Sequence, residues 1–456
     1  MKKTVVINVV GLSNRHIGEH TPRIAAFQRD GQNRVVKPVL PAVTCTAQST
    51  YLTGKSPQEH GIVANGWYFK DECEVKFWRQ SNKLVEAPKI WDELKTMDPN
   101  FSCANLFWWY NMYSTADYSV TPRPNYLADG RKIPDCYSFP AGLRDELQAQ
   151  FGDFPLFKFW GPRTSIESSQ WIADATVYTD KKYNPTLSLV YLPHMDYNLQ
   201  RYGVEDARIH KDLQEIDAVV GQLLDHFEGS RIILLSEYGI TPVSCPVHLN
   251  RELRKANLLG IRVERGLELL DPGASKAFVV ADHQWAHVYL NDEACREQVR
   301  EILQSTSGVE KIWEGEQRHE VGMNHPRSGD FVVMADQDSW FTYYFWEDDR
   351  KAPDYARMVD IHKKPGYDPV EMFTDPNDPL VTAKVIKKLI AKKLGFRTVM
   401  NVIPLKAELV GGSHGRMPED EKDFPVFLSN MPEVDSPKLV EATQVYDLIK
   451  QHVIKE

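Results

Sequence analysis

The sequence predicts an α/β fold: a three-layer α/β/α core around a mainly parallel sheet, with a small inserted α+β subdomain. Short, apolar, β-rich runs alternate with helical patterns along the 456 residues, which is typical of βαβ units. The clearest runs, Thr4 to Val10, Thr186 to Leu192 and Arg231 to Leu235, are almost continuously apolar, as expected of strands that helices cover on both faces. The polar residues after each run would then meet at the carboxyl edge of the sheet, where open α/β sheets bind ligands.

Helices are expected where apolar residues recur at a spacing of three or four. The sequence predicts them at Ala47 to Thr53, at Lys89 to Thr96 and at Ile209 to Phe227. Residues 245–330 have a different pattern of predicted strands and helices and are interpreted as the inserted subdomain. Residues 1–244 and 331–456 would form the core. The elements expected around this insertion are a strand in HVYL, a helix from Asp292 to Gln304, and strands at Val309 to Trp313 and Phe331 to Met334.

The composition is that of a folded globular chain, with 42% hydrophobic and 26% charged residues. A net charge of −9 argues against a broad surface for nucleic acid or for an anionic membrane, but it permits one local phosphate site. The N-terminal apolar run is interrupted by Asn8 and is too short for a signal peptide, and no stretch approaches the roughly 20 apolar residues of a membrane span. Six cysteines without a CxxC pair fit neither a zinc knuckle nor a disulfide framework, so we expect a reduced, cytoplasmic protein.

The segment KPVLPAVTCTAQSTYLTGKSPQEHGIVANGWYF contains the strongest candidate for chemistry. Pro41 ends a strand, and a helix that begins near Ala47 places the Thr44 hydroxyl at a helix N-terminus, where free N–H groups and the helix dipole favour a phosphate. A threonine hydroxyl is a weak nucleophile, so it needs a metal ion or a base for activation. Threonine is also a favoured N-cap residue, and this segment alone does not separate a capping role from a nucleophilic one.

Within this segment, a Pro-x-x-Thr turn is followed by a Thr-Gly helix end, a His-Gly-Ile and an Asn. The residues concerned are Pro41, Thr44, Thr53, Gly54, His60, Gly61, Ile62 and Asn65. This order resembles the nucleophile segment of the nucleotide pyrophosphatases/phosphodiesterases, a branch of the alkaline phosphatase superfamily. The family has an Asn near the helix start that falls at Ala47 here, which removes one expected contact to the phosphate.

The same resemblance implies metal ligands after two of the predicted strands, and several of them are substituted. After the second strand the family has an Asp and, four residues later, a His; these positions hold Asp196 and Gln200. After the third strand the family has an adjacent Asp and His; these positions hold Glu237 and Tyr238. The resemblance therefore implies that two imidazole ligands have been lost.

Two further ligand positions lie at the ends of the chain. His414 in VGGSHGRMP matches a histidine ligand of the family, whereas Val10 stands where an Asp is expected, and Asn8, on the same strand face, is the predicted substitute. The implied metal ligands are Thr44, Asn8, Asp196, Glu237 and His414. The implied cofactor is a divalent cation, Mg²⁺, Mn²⁺, Ca²⁺ or Zn²⁺; because only one ligand is a histidine, we expect one ion or a weaker, harder pair instead of two tightly bound zincs.

Two functions remain open at the level of sequence. In the first, the protein is a metal-dependent hydrolase of phosphodiester, pyrophosphate or related phosphate ester bonds, and Thr44 forms a covalent intermediate with a small phosphorylated or phosphodiester substrate. In the second, the fold has lost its chemistry and acts as a metabolite-binding or scaffold protein. Bound metal separates these hypotheses, because only the hydrolase requires it.

Other polar clusters could contribute to the site, and each also has a plain structural interpretation. Asp282, His283 and His287 have ligand chemistry, although His287 begins an apparent strand and would suit the core. The turn in VDIHKKPGYDP carries His362 and Lys364, which could meet a phosphate or lie in solvent.

The aromatic segment 101–113 is interpreted either as packing between layers or as a clamp for a planar ligand. His194 is included because we expect it on the same strand face as Asp196. The residues predicted to support the ligands or bind substrate are Gln200, Tyr238, Asn65, His194, His283, His362 and Lys364.

Overall fold

The protein is described by a computed structural model that covers residues 1–432 and 437–455, in which strands and helices alternate along most of the chain. The strands are β1 Thr4–Val9, β2 Gln32–Lys37, β3 Gly66–Phe69, β4 Glu74–Phe77, β5 Cys103–Leu106, β6 Tyr118–Pro122, β7 Asn125–Tyr126, β8 Lys132–Ile133, β9 Cys136–Phe139, β10 Leu187–Leu192, β11 Arg231–Leu235, β12 Thr241–Pro242, β13 Cys245–Val247, β14 Ile261–Glu264, β15 Leu267–Leu270, β16 Ala277–Asp282, β17 Trp285–Leu290, β18 Val309–Glu314, β19 Phe331–Ala335, β20 Ser339–Phe341, β21 Gly412–Ser413, β22 Val426–Ser429 and β23 Leu439–Glu441. The α-helices are α1 Pro22–Asp30, α2 Thr44–Thr53, α3 Pro57–His60, α4 Ile90–Met97, α5 Ala141–Phe151, α6 Leu156–Phe159, α7 Glu167–Tyr183, α8 His194–Tyr202, α9 Ile209–His226, α10 Leu249–Lys255, α11 Arg296–Ser305, α12 Val381–Lys393 and α13 Val445–Ile454.

A nine-stranded sheet lies at the centre of the fold, with the strand order β23-β2-β22-β11-β1-β10-β5-β6-β9. The five strands from β11 to β6 run parallel to one another, whereas β22 and β9 are antiparallel to their neighbours. The predicted α/β fold with a mainly parallel sheet is therefore confirmed.

The central strands are buried because helices pack on the sheet in two groups. One group contains α1, α7, α8 and α9, with α7 on β10; the other contains α2, α4 and α13, with α13 on β1 and β11. All six residues of β1 and of β10 are buried. This explains why their sequences are almost continuously apolar, and the three strands predicted from such runs are confirmed to within one residue.

The predicted helices are also present, with small differences at their ends. The helix expected from Ala47 begins three residues earlier, at Thr44, and ends at Thr53 as predicted; Gly54, with a left-handed φ of 67°, follows it as the C-cap. The helix expected at Lys89 to Thr96 is Ile90–Met97, and the one expected at Ile209 to Phe227 is Ile209–His226. The early start of α2 matters because it makes Thr44 part of the helix.

A second, antiparallel sheet with the order β16-β17-β19-β18 packs in its own hydrophobic cluster. Its strands and α11 occur where strands and a helix were expected around residues 245–330. The sheet continues past residue 330 through β19, and its cluster includes later residues such as Trp346 and Val410. The boundaries of the insertion themselves stay a prediction.

The parallel strands bring the candidate residues to one edge of the central sheet. Asn8 pairs in register with Tyr191 of β10 on one side and with Leu235 of β11 on the other. The residues that follow β10 and β11 are therefore neighbours, although they lie far apart in the sequence. All six cysteines are free, and no helix within the described ranges is both long and apolar enough to cross a membrane.

Candidate active site

Thr44 is the first residue of α2, and its side chain points into the protein. The N-cap position is held by Val43, whose backbone is extended and whose side chain forms no capping bond. Thr44 is only 3% exposed, and its hydroxyl lies 3.2 Å from the hydroxyl of Tyr238. The capping role left open by the sequence is therefore not what this threonine does in the structure.

Tyr238 connects the Thr44 hydroxyl to a buried carboxyl group. The Tyr238 hydroxyl donates to Asp196 Oδ1 at 3.2 Å, so its single proton is used there and it accepts the hydrogen bond of Thr44. The second oxygen of Asp196 accepts a hydrogen bond of 2.8 Å from Gln200 Nε2. Both residues that stand where a histidine was expected therefore contact the same carboxyl group.

Glu237 also interacts with Thr44 and is fully buried. Its Oε1 atom accepts hydrogen bonds from Asn8 Nδ2, at 2.6 Å, and from the side-chain amide of Gln48. Gln48 is held in turn by the backbone N–H of Trp109, which donates to its Oε1 at 2.6 Å. Among the described residues, neither Glu237 Oε2 nor Asn8 Oδ1 has a hydrogen-bond partner.

Burial changes the protonation of both carboxyl groups. Loss of solvent raises the pKa of Asp196 to about 7, against the hydrogen bonds from Gln200 and Tyr238, which lower it. The same cause raises the pKa of Glu237 to about 8, with Gln48, Asn8 and Thr44 acting in the opposite direction. Among the described residues, no lysine or arginine forms an ion pair with either group, so the site holds two buried acids without a matching cation.

Two histidines at this site present an unprotonated nitrogen. His414 Nδ1 lies 2.7 Å from the carbonyl oxygen of Ala42 and His283 Nδ1 lies 2.7 Å from Asp282 Oδ1, so both Nδ1 atoms carry the proton. Both Nε2 atoms are buried and have no hydrogen-bond partner within the described ranges, and His414 Nε2 lies 3.9 Å from Asp196 Oδ1. Burial lowers the pKa of each imidazole well below its usual value, so both rings are neutral.

Four aromatic rings follow one another in a column beside the carboxyl groups, with the two outer pairs stacked and the inner pair tilted by 37°. We call these rings the ring column: Tyr238, His414, His283 and Tyr367. Successive ring centroids are 3.6, 3.7 and 3.6 Å apart. At its far end, the Tyr367 hydroxyl donates to Gln200 Oε1 at 2.9 Å. This bond fixes the Gln200 amide so that its nitrogen faces Asp196.

Asn65 joins the start of α2 to the second sheet. Its Oδ1 accepts a 2.9 Å hydrogen bond from the Cys45 N–H, while its backbone N–H and its Nδ2 donate to the two oxygens of Asp282 at 2.8 and 3.1 Å. Asp282 also contacts His283, and burial raises the pKa of its carboxyl group to about 6. Because the donors of Asn65 are used within the protein, its predicted contact with substrate stays a prediction.

A sequence profile of type I phosphodiesterases/nucleotide pyrophosphatases matches residues 4–368. The chain belongs to this family. It is 24% identical over 220 residues to an uncharacterized pyrophosphatase/phosphodiesterase of Schizosaccharomyces pombe, a match that covers 45% of this chain and 38% of the relative. It is 21% identical over 244 residues to human ectonucleotide pyrophosphatase/phosphodiesterase family member 1, covering 51% of this chain and 23% of that protein. The matches thus span well under half the length of these two relatives.

Solved structures share the phosphodiesterase fold over nearly the whole chain. Phosphonoacetate hydrolase from Sinorhizobium meliloti, in complex with phosphonoformate, has a TM-score of 0.62 at 13% identity and covers 99% of this chain and 96% of its own. An inactive threonine-to-alanine variant of murine ectonucleotide pyrophosphatase/phosphodiesterase 5, in complex with AMP, has a TM-score of 0.60 at 13% identity, covering 99% and 95%. The family resemblance seen in the sequence is confirmed.

The metal ligands expected from the phosphodiesterase family are only partly assembled. In the described part of the chain, Asp196, Glu237 and His414 do not bring one ligand atom each within 4.8 Å of one another. Four buried lone-pair atoms of the site nevertheless have no hydrogen-bond partner among the residues that the structure describes: Glu237 Oε2, Asn8 Oδ1, His414 Nε2 and His283 Nε2. Buried carboxylates normally pair with a cation or bind a metal. The donor set therefore fits a divalent cation near Thr44, Glu237 and Asn8, but both oxygens of Asp196 are engaged by neutral donors.

His194 requires a correction. It was expected on the same strand face as Asp196, but the strand ends at Leu192 and His194 begins α8. Two helical residues that are two positions apart point in nearly opposite directions, so His194 faces α9 and lies 3.1 Å from Glu215 and 3.3 Å from Asp212. Among the described residues, these three form a group whose ligand atoms all lie within 4.8 Å of one another.

The Pro-Gly turn also differs from its predicted role. Lys364 is buried and pairs with Asp368 at 2.7 Å and with Glu371 at 2.8 Å, so its ammonium group is committed to an internal ion cluster and not to a phosphate. His362 is exposed, with Nδ1 3.4 Å from the carbonyl oxygen of Phe77. The residue of this turn that enters the site is Tyr367, which the sequence did not single out.

The remaining candidates divide between core and site. His287 is a core residue, with Nε2 3.1 Å from the carbonyl oxygen of Val63, as its place in a strand suggested. The aromatic segment also divides: Phe107 and Trp108 lie in the main hydrophobic core, whereas Trp109 packs on Trp78 with centroids 5.0 Å apart. Trp78 contacts Tyr367 at the end of the ring column, so an aromatic wall borders the site.

Gln48 and Tyr367 are the site residues that sequence reasoning missed. Gln48 lies four residues after Thr44 and therefore on the same helix face, a spacing that could have indicated it. Tyr367 follows no strand and belongs to no motif that the family resemblance covers. Only the fold brings it to Gln200.

Proposed function

We propose that this protein hydrolyses phosphodiester, pyrophosphate or related phosphate ester bonds of a small substrate, with Thr44 as the nucleophile and a divalent cation as cofactor. The observation that carries the proposal is the buried Thr44 hydroxyl at the start of α2, hydrogen-bonded through Tyr238 to Asp196. Membership of the phosphodiesterase family supports the reaction class. The inactivity of the threonine-to-alanine variant of the murine relative supports a threonine nucleophile.

In the proposed reaction, Thr44 Oγ attacks phosphorus and the bond to the leaving oxygen breaks, which leaves a phosphorylated threonine. The hydroxyl proton leaves along the hydrogen bonds from Thr44 to Tyr238 and from Tyr238 to Asp196. Water then hydrolyses the intermediate, and a proton returns to Oγ. Residues Thr44, Glu237 and Asn8 would hold the cation, which when bound favours the ionised hydroxyl and offsets charge on the phosphoryl oxygens.

The surroundings of Thr44 suit an anionic substrate in two ways. The N-terminus of α2 offers the positive end of the helix dipole to a phosphoryl group. The aromatic wall of Trp78, Trp109 and Tyr367 offers flat apolar faces to a planar leaving group. These features support a small phosphorylated substrate with a ring system, as in the AMP complex of the murine relative.

The nucleophile can be tested with two substitutions at one position. Thr44→Ala should lower kcat on an aryl phosphodiester by about a thousandfold or more, whereas Thr44→Ser, which keeps a hydroxyl, should retain much more activity. Thermal melting of both variants controls for folding. A Thr44→Ala protein that turns over substrate at the wild-type rate would overturn the proposal.

The metal requirement is tested by metal analysis of protein purified without chelator, and by adding Mn²⁺, Mg²⁺ or Zn²⁺ to the metal-free protein. We expect activity to depend on the cation and the melting temperature to rise when it binds. If no metal is bound, added metal leaves melting unchanged and no turnover is seen, the metabolite-binding or scaffold function is supported instead.

A further inference from the structure

Helix α12 and the residues after it carry large apolar side chains that the rest of the protein leaves uncovered. Ile386, Leu389 and Ile390 are 46–55% exposed, and Leu394 and Phe396, which follow the helix, are 65–69% exposed. The main core residues of this chain, by contrast, are almost completely buried. Exposed apolar side chains grouped in this way usually mark a contact surface.

The same segment is strongly basic in an otherwise acidic chain. Between residues 379 and 407 there is no Asp or Glu, and the basic residues are Lys384, Lys387, Lys388, Lys392, Lys393, Arg397 and Lys406. Two of them pair with acids just before the helix, Lys384 with Asp378 and Lys406 with Asp375. Lys387 and Lys393 form no ion pair with any residue that the structure describes. Because the whole chain has a net charge of −9, this positive charge is local to the segment.

The exposed apolar residues of the helix share one face, and three of its lysines lie on the opposite face; Lys393, the last residue of the helix, falls on the apolar side. At 100° per residue, Leu389, Ile386 and Ile390 fall within one arc of roughly 100°. Lys384, Lys387 and Lys388 fall within an arc of similar width on the opposite side. A basic face opposite an exposed apolar face is the pattern of helices that lie in the plane of a membrane surface.

We propose that α12 and the segment that follows it dock on a membrane surface rich in anionic lipids. The apolar face, extended by Leu394 and Phe396, would enter the boundary between headgroups and acyl chains, while the lysines contact lipid phosphates and carboxylates. The acidic remainder of the chain is repelled by such a surface, which favours contact through this segment alone. The proposal differs from the expectation drawn from net charge, because it concerns the local charge of one segment and not that of the whole chain.

A membrane is favoured over a protein partner by the extent of the exposure. Apolar side chains are exposed from Leu380 to Val399, over a helix and an irregular stretch, and not at one set of helix-spaced positions alone. A protein groove that binds a helix contacts a single apolar face of that helix. A lipid surface accepts apolar side chains from a helix and from an irregular segment alike. The local charge complements anionic headgroups.

The proposal is tested by co-sedimentation of the full chain with vesicles of phosphatidylcholine containing about 30% phosphatidylserine, and with vesicles of phosphatidylcholine alone. We expect binding to the first and much weaker binding to the second, and we expect about 0.5 M salt to weaken the first. Two double variants should each weaken binding by about tenfold or more. The first removes apolar contacts (Ile386→Asp with Ile390→Asp), and the second reverses basic charges (Lys387→Glu with Lys393→Glu). The matched control is Lys181→Glu at the exposed end of α7, which should bind like the wild type.

Three results would overturn the proposal. One is a wild-type protein that does not sediment with the anionic vesicles. Another is Ile386→Asp/Ile390→Asp protein that melts well below the wild type, which would mean that the apolar face packs inside the protein. The third is a wild-type dimer that this variant converts to a monomer, since a second copy of the chain would then cover the face.

Discussion

At the scale of single residues, the candidate site is defined by two substitutions of expected histidines. Tyr238 and Gln200 both give a hydrogen bond to Asp196, at 3.2 and 2.8 Å. These bonds partly compensate the burial of Asp196, which an ion would do more completely. The chain therefore retains the carboxyl group of the family but surrounds it with neutral partners.

Replacing Gln200 with His should restore part of a zinc site. We expect Gln200→His to raise the affinity for Zn²⁺ by about tenfold or more, because an imidazole would join Asp196 and the unpartnered Nε2 of His414. Isothermal titration of the metal-free protein with Zn²⁺ measures the change. Adding Asp196→Asn should abolish the gain, and equal zinc affinity in wild type and Gln200→His would contradict the prediction.

At the scale of elements, the turn after β11 determines where Glu237 and Tyr238 lie. A Cβ atom on Gly239 would be only 1.6 Å from the carbonyl oxygen of Asp423, so the two backbone segments can approach as they do only because this residue is glycine. The Tyr51 hydroxyl of α2 donates to the carbonyl oxygen of Ser236 at 3.0 Å, and this bond joins the turn to α2. Nucleophile and carboxyl groups are thus positioned by one packed unit.

Gly239→Ala should therefore disturb both stability and activity. We expect it to reduce the free energy of unfolding by about 3 kcal/mol or more, since a rigid backbone atom must move to admit the new methyl group. Gly142→Ala is the control: it lies in α5 with nothing within 4 Å of its new Cβ, and it should stabilise the protein by up to about 1 kcal/mol. Denaturant unfolding compares the two, and equal effects would contradict this explanation.

The sequence predicts the elements of the fold better than the details of the site. The central strands are predictable because a parallel sheet that helices cover on both faces requires continuous apolar runs. The location of the site is predictable because the carboxyl ends of such strands lie at one edge of the sheet. Helix capping was less informative, since α2 begins after Val43 without a side-chain cap. The contacts of Tyr367 with Gln200 and of His283 with His414 depend on packing between distant segments, which no local pattern encodes.

At the scale of the whole molecule, two hydrophobic clusters meet at the site. The main cluster surrounds the central sheet and includes Tyr238, whereas the second surrounds the antiparallel sheet and includes Tyr367. The two acids of the site are buried at this meeting point without an ion-paired cation in the described ranges. The stability of the whole protein should therefore depend on their ionisation.

In the absence of metal, the melting temperature should fall as the pH rises from about 5 to 8. Glu237 has a pKa of about 8 in the folded protein and close to 4.5 when unfolded, so over this window the folded state keeps a proton that the unfolded state has released. The stabilisation is complete below the unfolded pKa and is lost as the pH passes the folded pKa. Its size is on the order of a few kcal/mol.

Glu237→Gln isolates this contribution, because it keeps the shape of the side chain and removes the titration. In the presence of chelator, the melting temperatures of the two proteins should be similar at low pH. As the pH rises, the melting temperature of the wild type should fall more steeply than that of the variant. Added Mn²⁺ should raise the wild-type melting temperature more at pH 8 than at pH 5, since a cation binds the ionised carboxylate. Parallel curves for the two proteins would contradict the prediction.

The ring column also has a mechanical consequence. Its two outer rings, Tyr238 and Tyr367, belong to different clusters, and the inner rings of His414 and His283 join them, with centroids 3.7 Å apart. Any motion that separates the two clusters must separate the rings of this column. It must also disturb the hydrogen bond from Tyr367 that orients Gln200. A displacement of one cluster against the other would therefore change the geometry of the site directly.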